Sequence, residues 1–385
     1  MKLKLKLLVL IQIFTAFTAF SQVNTEPENT VVDSVPKAGF FGRIVNYFEE
    51  AKKDKSEKKF DISFIGGPSY SVDTQFGIGM VASGLYRIDK EDLSLSPSNV
   101  AIYTNITTSG FFSIGVENTT IFPKDKYRIY YDMNFAFRPS EYFGIGYEAG
   151  LADVSSDYND YRLGLDANFL KKFWSNVYAG AVVSAQNYRA KDFKNLAIAP
   201  DQNYNTTAVG GGYVFSYDSR DFIPNPYKGV YVSLQQTFYT KALGSSYNFN
   251  QIDFTARTYK QVWKGGILAF DLNGNFANGD VPWNMLPQLG GSRQMRGYFK
   301  GQYRDKKQVN TQIELRQKIY NRHGVVLWGG AGNVFHSFDT YQWKQTLPNY
   351  GIGYRWEFKN RVNIRFDYGI GKNQSGFYFN INESF

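Results

Sequence analysis

The 385-residue chain offers few side chains for covalent chemistry: two histidines, His323 and His336, and no cysteine. Each histidine falls in a connection between strand-like segments, at opposite ends of the segment that separates them. No Ser–His or metal constellation can be built from such a pair. Gly210-Gly211-Gly212 and Gly329-Gly330 lie within strand-like segments and lack a following Lys-Ser/Thr, so they mark bends or close packing rather than a phosphate loop. What remains is charge, with Arg, Asp and Glu recurring on one face of several segments. The expected chemistry is a network of ion pairs, with no enzymatic reaction, no cofactor, no metal and no small-molecule substrate.

The segments that hold those charges alternate with period two. In Tyr127–Phe135 one face carries Tyr127, Ile129, Tyr131, Met133 and Phe135, and the other Arg128, Tyr130, Asp132 and Asn134. Val309–Ile319 sets Val309, Ile313, Leu315 and Ile319 against Asn310, Gln312, Glu314, Arg316 and Lys318; Val362–Ile370 sets Ile364, Phe366 and Tyr368 against Asn363, Arg365 and Asp367. Such alternation describes half-buried strands. It fits a soluble sandwich with one wetted face as well as the wall of a transmembrane barrel.

The rest of the sequence separates these two. Lys2, Lys4 and Lys6 precede an apolar run from Leu7 to Phe20, with Ala19 and Ser21 before Gln22, which reads as a secretory signal peptide over 1–21. No cysteine follows, so no lipid anchor is expected. Aromatic residues make up 18% of the chain, with 29 Tyr and 33 Phe, a load that suits the interfacial girdles of a barrel. No later stretch approaches the roughly 18–20 apolar residues of a spanning helix. The formal charge of +9 includes the three leader lysines, and the other basic residues are scattered among acids, unlike the clustered face that binds nucleic acid.

The expected organisation is a polar, flexible periplasmic linker over 22–37, an amphipathic helix with a charged tail over 38–59, and a barrel over 60–385. The helix carries Phe40, Phe41, Ile44, Val45 and Phe48 at helical spacing. It either lies on the membrane, plugs the barrel or docks a partner, or packs as a plain linker helix. The barrel is read as all-β, with sixteen antiparallel strands running from 61–71 and 75–88 through to 361–371 and 376–385. Short connections fall on one side and longer ones, at 139–157, 190–204, 278–305 and 335–347, on the other. This asymmetry places both termini in the periplasm and the long loops outside, in the outer membrane of a Gram-negative bacterium. The ending Phe377-Tyr378-Phe379-Asn380-Ile381-Asn382-Glu383-Ser384-Phe385 reads as a last strand with Phe377, Phe379, Ile381 and Phe385 on its apolar face, where Glu383 is out of place.

Between two such strands lies a polar, glycine-rich stretch, Gly290-Gly291-Ser292-Arg293-Gln294-Met295-Arg296-Gly297-Tyr298, followed by Tyr303-Arg304-Asp305 and Ile313-Glu314-Leu315-Arg316. With Tyr217-Asp218-Ser219-Arg220-Asp221, Lys228-Gly229, Gly330-Ala331-Gly332-Asn333 and Arg365-Phe366-Asp367-Tyr368-Gly369, it resembles the barrel of the BamA/TamA superfamily of outer-membrane assembly factors, also called bacterial surface antigens. The resemblance covers about 60–385 and is strongest from 205 onward. It implies that the sixth extracellular loop folds into the lumen, with Arg296 docking on Glu314, Gly297 allowing the turn and Tyr298 packing on the inner wall. The family's second acid would fall at Gly330, so Asp271 and Asp367 are the further candidate partners. The family's periplasmic polypeptide-transport-associated domains are expected to be missing, since 22–59 is shorter than the roughly 40 residues an unaided domain needs.

The resemblance implies a protein that assembles or translocates client proteins through a seam between the first and last strands. The alternatives are a scaffold or partner subunit, homo- or hetero-oligomeric, and a diffusion porin. Partners would be outer-membrane lipid and other outer-membrane proteins.

Overall fold

The computed structural model describes residues 61–385 apart from 72, 90–94, 96, 202, 224 and 360. The expectations for the leader, the linker and the helix bearing Phe40, Phe41, Ile44, Val45 and Phe48 lie outside the described residues. The strands are β1 (Asp61–Ser71), β2 (Gln75–Tyr86), β3 (Ser98–Thr107), β4 (Phe112–Ile121), β5 (Tyr127–Tyr142), β6 (Ser156–Trp174), β7 (Val177–Lys191) and β8 (Asn205–Asp218). They continue with β9 (Gly229–Tyr239), β10 (Phe249–Trp263), β11 (Gly266–Gly279), β12 (Lys307–Tyr320), β13 (His323–Phe335), β14 (Leu347–Lys359), β15 (Val362–Gly371) and β16 (Gln374–Ile381). Each strand pairs with its chain neighbours in a single sheet ordered β1 to β16.

The side-chain pattern decides between sandwich and membrane barrel. Along β12 the residues facing inward, Gln308, Asn310, Gln312, Glu314 and Arg316, are buried. Apolar residues on the other face are open: Ile313 on β12, Ile78 and Met80 on β2, Ile102 and Ile106 on β3. A soluble sheet buries its apolar face, so this inverted polarity belongs to a barrel bathed in lipid. Among the described residues no helix is long and apolar enough to cross a membrane; the strands do so.

One mouth of the barrel, the near mouth, carries the connections 87–97, 122–126, 175–176, 219–228, 264–265, 321–322 and 360–361. The far mouth carries 72–74, 108–111, 143–155, 192–204, 240–248, 280–306, 336–346 and 372–373. The four long loops therefore share one mouth, and the two histidines sit at opposite mouths. Most strand ends lie one to four residues from the sequence reading, and two of these differences bear on the site. The turn expected near 171–174 is at 175–176, because β6 continues through a bulge between Lys172 and Trp174 and Asn176 takes a left-handed conformation, φ 61°, in which Asn is enriched among non-glycine residues. The last strand ends at Ile381, not 385.

That second difference re-aims the chain end. Asn382 adopts φ 66°, and the residues after it leave the sheet. Glu383, Ser384 and Phe385 are all buried, with the Phe385 ring 6.2 Å from that of Tyr259 and under the Arg316 guanidinium at 5.0 Å. Phe385 thus does not stand on the lipid-facing side with Phe377 and Phe379, and Glu383 is not misplaced on an apolar face. A break in period two sends both into the lumen.

At the far mouth the loop between β11 and β12 packs against the inner wall. The 280–306 loop packs Leu289, Met295, Tyr298 and Tyr303 against Tyr147 of the short helix α1 (Tyr147–Ala152) and against Val334 and Leu347 of the wall.

Candidate functional site

The loop between β11 and β12 is drawn into a hairpin-like base by a bridge between Gln288 and Arg304. Leu289 N–H donates to Tyr303 O at 2.9 Å and Gly301 N–H to Leu289 O at 3.1 Å. Its tip turns at Gly297, with φ 108°. A Cβ there would lie 2.8 Å from the backbone of Ile370 and Gly371, so both the torsion and the close approach exclude other residues. The Gly297 amide donates to Tyr378 Oη at 2.9 Å. Tyr298 is fully buried; its hydroxyl donates to Pro348 O at 2.7 Å and accepts from the Lys372 amide at 2.8 Å.

Arg296 stands between them with no exposed surface. Its Nη1 donates to Asp367 Oδ2 at 2.7 Å, and its Nη2 to Glu314 Oε1 and, at 3.3 Å, to Gln312 Oε1. The guanidinium plane lies over the Trp328 ring at 3.6 Å, a cation–π contact strengthened by desolvation. The two carboxylates are shared further: Glu314 accepts from Arg316 Nε at 3.0 Å and Ser384 Oγ at 2.6 Å, and Asp367 from Arg355 Nη1 at 2.6 Å and Arg365 Nη1 at 3.1 Å. Arg365 also donates to Ser292 O of the loop at 2.8 Å. Glu383 completes the lattice, accepting from Arg355 Nε at 2.8 Å and Asn363 Nδ2 at 2.6 Å. Burial works against the charge of Glu383, but the Arg355 and Arg316 guanidiniums outweigh it and hold its carboxyl below the usual range.

Four arginines and three carboxylates are thereby buried together. A lone buried charge, or a half-satisfied pair, is expensive to desolvate. The lattice is tolerable because each carboxylate meets two or more donors.

Of the three acids considered from sequence, Glu314 and Asp367 meet Arg296. Asp271 does not: it pairs with Arg257 Nε at 2.9 Å and receives Gln312 Nε2 at 3.2 Å and Gln294 Nε2 at 3.4 Å. At Gly330 an acid would not fit, since a Cβ there would lie 2.5 Å from Thr311 O and 2.7 Å from Asn349 Oδ1; the second carboxylate comes instead from β15. Sequence reasoning missed Trp328, Ser384 and the roles of Arg316 and Arg355. Trp328 was the readable one, an aromatic in the inward row Val326, Trp328, Gly330, Gly332.

Residues 105–385 match the Omp85 superfamily domain. The chain belongs to the Omp85 superfamily. Two solved structures share the fold: BamA from Haemophilus ducreyi lacking POTRA domains 1–3, at 11% identity and a TM-score of 0.54 over 83% of this chain and 69% of that one, and CdiB from Acinetobacter baumannii, at 12% identity and a TM-score of 0.56 over 85% and 60%. A search of curated proteins returns no match. As an Omp85 barrel the protein resides in the outer membrane of a Gram-negative bacterium.

In this Omp85 barrel the edges β1 and β16 meet without a ladder: among the described residues the paired strands run from β1 to β16 and no register joins the two ends. Rings fill the gap instead. Tyr70 and Phe377 lie 6.1 Å apart between centroids, and a Cβ at Gly67 would touch the Phe379 ring at 3.6 Å. Ile381 keeps its backbone register with Ile364. Above this junction the Omp85 loop touches both sides: the Lys300 amide donates to Asp73 Oδ1 of the β1–β2 turn at 2.8 Å, and the neighbouring Phe299 amide to Gln374 Oε1, the first residue of β16, at 2.9 Å.

The near mouth of the barrel is crossed by the β8–β9 connection. Arg361, in the β14–β15 turn, reaches Asp221 at 2.9 Å, donates to Asn225 O and stacks on Tyr227 at 4.0 Å. On the opposite wall Asp125 is held by Arg128, whose Nε and Nη2 donate to it at 2.7 and 2.8 Å and whose Nη1 donates to Asp218 at 2.7 Å.

Proposed function

We propose that this Omp85 protein assembles or translocates other proteins at the outer membrane by parting β1 from β16, so that the two freed edges template or pass a client strand. The observation that carries the reading is the junction itself. Among the described residues fourteen strands have two ladder partners each, whereas β1 and β16 have one each, and an unpaired edge is a ready acceptor for an added strand. The loop held by Arg296 is the strut that sets this junction's closed state, since it bonds to the β1–β2 turn on one side and to the start of β16 on the other. In this reading the near mouth faces the periplasm and the long loops face outside. The protein is non-enzymatic, and its partners are lipid and client outer-membrane proteins. The loop packed against the inner wall and the mixed charges argue against a diffusion porin.

The test uses cysteines at Gly67 and Phe379 joined by a short reducible bis-maleimide. Tethered protein should lose insertion of newly made barrels into proteoliposomes and regain it on reduction; full activity with the tether in place would sink the seam mechanism. A photo-crosslinker at Phe377 should capture varied client strands. Capture of only a second copy, or of one fixed protein, would favour the scaffold reading, and large steady conductance the porin.

A further inference from the structure

Arg138 is out of step with the other inward arginines. It sits on β5 opposite Asp160 of β6, but the Asp160 carboxylate is taken by Arg162 Nε at 2.5 Å. Arg138 is left with no ion pair or hydrogen bond among the described residues; its Nε is buried without a partner, and its one neighbour of note is the Phe111 ring at 5.5 Å. Arg162 is opposite Ala136, two residues along and on the same face, so the two guanidiniums are diagonal neighbours across the ladder.

The loop adds to the same region. Lys300, tied through its amide to Asp73, is exposed and makes no ion pair among the described residues; the ring of its neighbour Phe299 packs on Phe143, just past the end of β5, at 5.8 Å. Desolvation, and after it the charges of Arg138 and Arg162, push the Lys300 ammonium down to about 8. Burial raises the Asp73 carboxyl from its ordinary value, against the pull of the Lys300 amide and of Arg138 and Lys300. Arg293, exposed on the loop, bears on Lys300 with the same sign. Three cations here, four with Arg293, face the two carboxylates of Asp160 and Asp73, whereas the lattice around Arg296 sets four cations against three carboxylates.

We propose that Arg138, Arg162 and Lys300 form a binding site for a phosphoryl dianion in the far-mouth lumen, supplied either as free phosphate or as a phosphomonoester headgroup. Two guanidiniums offer planar forks that match phosphoryl oxygens, and the ammonium adds a point charge. A dianion suits the excess of cations better than a carboxylate, and a phosphomonoester is largely dianionic near neutral pH. The inference does not depend on the seam mechanism, because binding is read without activity.

The test is thermal unfolding of the purified full chain in neutral nanodiscs, titrated with inorganic phosphate while chloride keeps the ionic strength fixed. A saturable rise in midpoint is expected. Arg138→Gln should weaken the apparent affinity tenfold or more, with Lys241→Gln, an exposed cation in a different far-mouth turn, unchanged. Lys300→Gln reads the same site from the loop should the wall variant fail to fold. In a second arm, nanodiscs containing phosphatidic acid without free phosphate are compared with neutral ones. A response to the lipid alone assigns the headgroup as the source, and a response to inorganic phosphate assigns the free anion. No response in either arm, or a response in Arg138→Gln and Lys300→Gln as strong as that of the unaltered chain, overturns the proposal.

Discussion

On β12 and β15 the inward carboxylates Glu314 and Asp367 are met by guanidiniums, whereas Asp132 of β5, Asp166 of β6 and Asp253 of β10 are met by amides and hydroxyls. Asp166 accepts from Gln186 Nε2 at 2.8 Å, Asp253 from Asn275 Nδ2 at 2.6 Å, and Asp132 from Tyr103 Oη at 3.4 Å. The first wall is dry and holds the loop in one arrangement. The second borders a cavity of about 360 Å³ lined by Glu117, Asp132 and Asp166, roomy and polar enough to hold water. The contrast teaches that guanidiniums are concentrated where the loop docks, while Asp132 and Asp166 border a cavity and make no ion pair among the described residues.

Removing the centre of the dry wall should show the largest effect. Arg296→Ala deprives two buried carboxylates of a shared donor and should destabilise the barrel by about 3–5 kcal/mol, measured as denaturant-induced loss of the compact form. Combining it with Glu314→Ala should give a loss smaller than the sum, with a coupling of about 0.5–3 kcal/mol; additive losses would mean that the two do not act as a pair. Trp328→Leu keeps the ion pairs but removes the ring beneath Arg296, and should cost up to about 2 kcal/mol from the cation–π contact.

Acid sharpens the comparison because the solvated side has one dry cluster of its own. Burial opposes the charge of Asp125, but Arg128 and Tyr178 hold its carboxyl below the ordinary value of 3.8. A depressed folded value means that the stability from this charge is complete above 3.8 and is lost as pH falls through the lower folded value. Asp125→Asn should therefore flatten the acid limb of stability against pH; an unchanged limb would remove Asp125 from the account. Asp132→Asn, without a cationic partner, should shift stability by no more than about 0.5 kcal/mol. A loss as large as that of Arg296→Ala would erase the distinction between the walls.

The strands were legible because period two, once started, is held by the lipid on one side and water or protein on the other. The docked loop was legible through the resemblance of Arg296-Gly297-Tyr298 and Glu314 to a family pattern. The chain end was not, because one left-handed residue, Asn382, takes Glu383-Ser384-Phe385 out of the sheet; the charge of Glu383 on an expected apolar face was the one sign of it, and it did not say where the end would go. Nor was the choice of Asp367 over Asp271 legible. Both lie on inward rows, and which one faces Arg296 depends on how strands four apart in sequence order curve round the lumen. Trp328 could have been found, since a large ring among small inward residues needs something to pack against.

The contact from Arg361 to Asp221 joins two turns that are six strands apart in a ring of sixteen. Mechanically it is a chord. A closed ring with a fixed chord resists becoming rounder or flatter, so strain introduced at one arc must be taken up in the arcs the chord leaves unbraced, and the longer of these contains the junction of β1 and β16.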